Sequence, residues 1–74
     1  MSLVHLKASH KGKVVDILGG VNLQNRLMSM GLYKGREVGK LSHIGLRGPV
    51  VIKVGRGILA LGHNIAVKII IEVV

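Results

Sequence analysis

The chain has 74 residues, enough for one domain (1–74) but not two, and a domain of this size hides only about 60% of its unfolded surface from water. It carries 11 Lys and Arg against 3 Asp and Glu, a formal charge of +8, while 49% of its residues are hydrophobic. It has no Cys and one aromatic residue, Tyr33, which excludes a disulfide framework and a thiolate metal site. The same scarcity argues against single-stranded nucleic-acid binding, which needs stacking platforms, and against a proline-reading groove lined by aromatics. No apolar run approaches the roughly 20 residues that span a bilayer. Met1 to Lys7 lacks the charged and apolar regions of a signal peptide, so a cytoplasmic location is expected.

The predicted elements follow one another closely. Gly12 to Leu18 is β-branched and bounded by Gly19-Gly20, a strand. A short helix follows with Asn22 as its N-cap, and Leu23, Leu27 and Met30 fall at i, i+4 and i+7 on one apolar stripe. Gly31 stands where a helix ends in a left-handed residue, and Leu32 is placed to pack back on it. Gly35 marks a second bend. Val38 to Ile44 is a strand of imperfect alternation, which a bulge at Gly39 would repair. Gly45 to Pro49 is a loop, Val50 to Val54 a clean alternating strand, Gly55-Arg56-Gly57 a hairpin turn, and Ile58 to Leu61 its returning strand. Gly62 to Lys68 allows one helical turn capped by Asn64, and Ile69 to Val74 is the last strand. Five short strands with glycine-marked corners and one helix predict a small, strongly bent, mainly β barrel.

The order and spacing of several short motifs resemble the FeoA family. They run from Gly12-Lys-Val-Val-Asp-Ile-Leu18 with Gly19-Gly20, through Arg26-Leu27, Met30-Gly31-Leu32 and Gly35-Arg-Glu-Val38. Gly48-Pro49, Val50-Val-Ile-Lys-Val54, Gly57-Ile-Leu-Ala-Leu61, Ala66 and the Ile-rich end complete the series. The resemblance covers Lys11 to Val73 and implies an SH3-like β-barrel with a helical insertion. It implies an accessory role in ferrous iron uptake beside a FeoB-like membrane permease that carries a cytoplasmic GTPase domain, and a peripheral place at the inner membrane through that partner. One departure lies in the central loop, Ile44-Gly-Leu-Arg47-Gly-Pro49, basic where many family members carry an acid or alanine. Similar barrels end metal-dependent repressors of the diphtheria-toxin-repressor type. This chain has no winged helix, which favours the stand-alone form; the alternative is a small DNA-binding or metal-dependent-repressor-associated SH3-like module.

No chemistry-bearing constellation competes with a binding role. Asp16, Glu37 and Glu72 are far apart in sequence, with no carboxylate pair for acid–base work, and no phosphate-binding loop signature is present. An enzyme is not expected, and no cofactor is implied. His5, His10, His43 and His63 lack metal-ligand spacing. His5 and His10 lie in an amino-terminal segment read as loose, and His43 is the nearest to a transition-metal ligand. Lysines spread along the chain read as a solvated surface. Arg26, Tyr33, Lys34, Arg36 and Arg47 are the candidate partner-binding residues, a basic patch around the helix end and central loop. The apolar surplus predicts an association surface at Ile70 and Val74, covered by the permease or by another copy in a homo-oligomer.

Overall fold

The computed structural model describes residues 1–45 and 47–74. After an amino-terminal 3-10 turn (Leu3–His5) come β1 (Lys11–Ile17), α1 (Val21–Ser29), β2 (Glu37–His43), β3 (Val50–Val54), β4 (Gly57–Leu61), α2 (His63–Ala66) and β5 (Ile69–Val73). All strand pairs are antiparallel, and the five strands form one sheet in the order β4-β3-β2-β1-β5. The expected small barrel of five strands with a short helical insertion is borne out.

Alternation decides which residues face inward. Val50, Ile52 and Val54 of β3 and Ile69 and Ile71 of β5 are buried in strict alternation, while in β1 a register shift between Val14 and Asp16 lets both Val14 and Ile17 face inward. The helix closes one end. Its start is two residues earlier than the sequence suggests: Gly20 precedes the first turn, and Asn22 lies within that turn rather than capping it. Gly19, with φ 132°, turns the chain so sharply out of β1 that the helix begins at once. Asn64 likewise sits inside α2, whose flanking residue is Gly62. The helix end matches expectation closely. Gly31 has φ 91°, its N–H donates to the Met28 carbonyl at 2.9 Å, and the Leu32 N–H donates to the Leu27 carbonyl at 2.8 Å. These are the two bonds of a Schellman motif, completed by the burial of Leu27 and Leu32. The stripe is shorter than predicted: Leu27 is buried and Leu23 packs on the core, but Met30 is exposed.

Two features of β2 depart from the sequence reading. The register shift lies between Lys40 and Ser42, so the bulged residue is Leu41 and not Gly39. In consequence Lys40 stays in phase with Val38 and points inward, only 3% exposed. Its Nζ donates to the carbonyls of Val4 at 2.8 Å and Leu3 at 3.3 Å, while its main chain bonds Ser9 and His10. One lysine thus gathers the amino-terminal segment, which is docked rather than loose. Leu3 and Leu6 belong to the core, Ser2 bridges Ile70, and Met1 exchanges hydrogen bonds with Ile71. Desolvation pushes the Lys40 pKa below its ordinary value.

Candidate functional site

The Schellman cap delivers the chain directly into a turn, Tyr33 to Arg36, closed by the Arg36 N–H donating to the Tyr33 carbonyl at 3.0 Å. Val14 fastens this turn to β1 from both sides: its carbonyl accepts from Gly35 and its N–H donates to the Arg36 carbonyl, each at 2.8 Å. The main chain that carries Tyr33, Lys34 and Arg36 is therefore part of the sheet's framework. The side chains are held as well. Arg36 Nη1 donates to the Tyr33 hydroxyl at 3.2 Å, and the guanidinium lies 5.8 Å from the Tyr33 ring centroid. Its other arm rests on Gly55, where any Cβ would collide with it. Gly55 also has φ 59°, as the first residue of the two-residue turn between β3 and β4 requires.

Arg36 overlooks a groove of about 530 Å³ on the outer face of the sheet, lined by Lys11, Tyr33, Glu37, Gly39, Lys53 and Gly55 among others. Strand register builds it. Lys11, Gly39, Lys53 and Ile58 are successive cross-strand partners in one row over four strands. Gly39 has no side chain, so this row dips between two exposed lysines whose Cα atoms stand about 10 Å apart, two strand spacings.

Of the three acids only Asp16 has a bonded partner among the described residues, and Glu37 itself lines the groove. Asp16 Oδ1 accepts the Ile17 N–H at 2.8 Å and lies 3.6 Å from Lys34 Nζ. Glu37 and Glu72 both stand opposite Lys13, one on each neighbouring strand. Among the described residues no ion pair reaches Arg36, Lys11 or Lys53. On the helix side Tyr33 also borders a second, more apolar cleft of about 500 Å³ with Ile17, Gln24, Met28 and Lys34.

Tyr33, Lys34 and Arg36 are thus brought together. Arg26 is exposed in the last turn of α1, where a cation complements the helix dipole, and its guanidinium makes no hydrogen bond among the described residues. Arg47 follows β2, whereas the Tyr33–Arg36 turn precedes it, so a seven-residue strand separates them. Sequence reasoning missed Lys11 and Lys53; a glycine within a strand hints at a notch, but only register says which side chains flank it. Of the association pair, Ile70 is half-buried between Asp16 and Ser2, and Val74 is exposed.

The His43 and His63 rings stack with centroids 5.9 Å apart, and His43 Nε2 and His63 Nδ1 are buried without a partner among the described residues. No group of three or more His, Cys, Asp or Glu suited to a metal ion forms among the described residues.

A family model described as the FeoA domain matches residues 1–73. The chain belongs to the FeoA domain family. Solved structures of FeoA proteins superpose on it throughout. The crystal structure of an iron uptake regulatory protein, FeoA, is 34% identical, with a TM-score of 0.91 over 100% of this chain and 97% of that one. The solution structure of iron(II) transport protein A from Clostridium thermocellum is 27% identical, with a TM-score of 0.91 over 100% of this chain and 46% of that one. FeoA of Stenotrophomonas maltophilia, crystallised with zinc and described as a prokaryotic SH3 domain protein, is 24% identical and shares the fold, with a TM-score of 0.81 over 97% and 89% of the two chains. The barrel is therefore SH3-like, as the sequence resemblance implied. No curated protein sequence matches the chain.

Proposed function

We propose that this FeoA-domain chain is a non-enzymatic accessory of ferrous iron uptake. It docks on the cytoplasmic, GTPase-bearing part of a FeoB-type permease and modulates that partner's assembly or activity. The observation that carries the reading is the family match over residues 1–73. The free cations around a braced Arg36 give a contact surface, with Tyr33 and Lys34 beside it and Arg26 on the adjoining helix end. Arg47, on the loop beyond β2, belongs to a separate contact if it contributes. Ile70 and Val74 supply the association surface, toward the permease or a second copy. No helix is long and apolar enough to cross a membrane among the described residues, and a place at the inner membrane comes through the partner.

Docking changes the permease only if the chain prefers one of its states, since equal affinity for two states shifts neither. The test is capture of the permease's cytoplasmic domain, followed by light scattering to count copies, beside a DNA mobility-shift assay. A salt-sensitive complex with the permease domain is expected. DNA binding that survives about 0.15 M salt, with no permease contact, would replace the reading with the repressor-like alternative.

A further inference from the structure

The geometry points to the Lys11–Gly39–Lys53 groove as a receptor for an acidic, extended segment of a partner protein, with one carboxylate seated on Arg36. This rests on the docking reading only for the identity of the segment's owner; the groove's chemistry stands on its own residues.

A guanidinium that carries no carboxylate partner usually sweeps through solvent. This one is fixed by a hydrogen bond to the Tyr33 hydroxyl, by the ring beneath it and by the bare Cα of Gly55. A fork held in one place meets a carboxylate with two parallel bonds and little further loss of side-chain freedom. Tyr33 adds a donor. Its oxygen accepts from Arg36, so its own O–H is free for a second ligand oxygen. Beyond Arg36 the notch at Gly39 accepts a peptide backbone, and Lys11 and Lys53 on its two banks meet further acidic side chains.

Three observations choose among anions. The depression is one residue wide, between lysines about 10 Å apart, so a strand of peptide fits where a flat bilayer does not enter. Glu37 lines the same groove, and its charge opposes two charges gathered on one phosphate more than single carboxylates spaced along an extended chain. Tyr33 is the one aromatic residue of the chain, a single ring where nucleic-acid strands need successive stacking platforms.

The experiment is an amide NMR titration of the whole chain at about 0.15 M salt. The probe is a blocked peptide of about six residues, ~20 Å when extended, alternating glutamate and glycine; its glutamine analogue is the control. We expect saturable shifts centred on Gly35, Gly39, Lys53 and Gly55 with the glutamate peptide alone. Arg36→Lys keeps the charge but loses the fork, and weakens binding at least about tenfold. Lys7→Gln removes a charge outside the groove and changes affinity less than about twofold. Equal response to both peptides, equal effects of Arg36→Lys and Lys7→Gln, or stronger shifts of the same amides by duplex DNA or phosphatidylserine vesicles would each overturn the assignment. Should Arg36→Lys lose its native spectrum, the wild-type contrast between the two peptides decides alone. Peptide binding without permease capture removes the proposed partner and keeps the groove. Permease capture that Arg36→Lys leaves intact removes the groove and keeps the partner.

Discussion

Arg36 and Lys40 lie four positions apart on the same stretch of chain and face opposite fates. Lys40 points inward, and its ammonium is satisfied by two main-chain carbonyls of the amino-terminal turn. Arg36 points outward, braced by a neutral hydroxyl and left without an acid. The difference teaches where a basic side chain serves architecture and where it stays available. A buried cation must find oxygens within the fold, because an unpaired one costs several kcal/mol. A cation that keeps access to water has no such obligation, and half-buried Arg36 finds only a hydroxyl within the fold.

Substitutions separate the two sides, beginning where the effect is largest. Leu3→Ala hollows the core beneath the amino-terminal segment and is expected to lower unfolding free energy by about 3 kcal/mol in urea titration. A change below about 1 kcal/mol would mean that this segment is not docked. Lys40→Met removes the ammonium and leaves the Val4 carbonyl unpaired, with an expected loss of about 1–3 kcal/mol by the same measurement. The pH dependence sharpens this. The folded-state pKa of Lys40 lies below 10.5, so at alkaline pH the unfolded chain binds more protons than the native one. The contribution of Lys40 to stability therefore rises as pH climbs through its folded pKa toward 10.5. Wild type should gain an increment there that Lys40→Met lacks; parallel curves would show that Lys40 is not desolvated.

Smaller effects follow at the boundary and outside. Gly31→Ala forces a Cβ into the left-handed end of α1 and should cost about 1–2 kcal/mol. Arg36→Gln should leave stability within about 0.5 kcal/mol, as an outward residue away from the core does. Asp16→Asn breaks an ion pair whose side chains are 50% and 65% exposed, and should change stability by less than about 0.5 kcal/mol once solvent screening is counted. A large loss from Arg36→Gln would erase the contrast with Lys40 and make both cations structural.

The parts of the molecule legible in advance are those where a residue type answers a local demand. Gly31 and Leu32 announce the helix end because only a glycine sits easily at positive φ and only an apolar residue closes that cap. Val50 to Val54 reads as a strand because its alternation is unbroken. Lys40 was not legible, since charge pattern sends lysines outward and the bulge at Leu41 that turns it in belongs to the pairing of β2 with β3. The site divides the same way. Tyr33 and Arg36 share one turn and could be linked from sequence, whereas Lys11 and Lys53 reach the groove through register, and Arg47 departs from it along the length of β2.

The two margins of the sheet also differ. Residues Met1 and Ser2 lie along β5, but among the described residues nothing pairs with the outer side of β4, an uncharged stretch from Gly57 to Leu61. Because Val54 and Gly57 bond across their turn, the peptide groups of Ile58 and Ala60 face away from β3. Mutual repulsion between molecules of charge +8 opposes the pairing of two such borders, and concentrated electrolyte screens that repulsion.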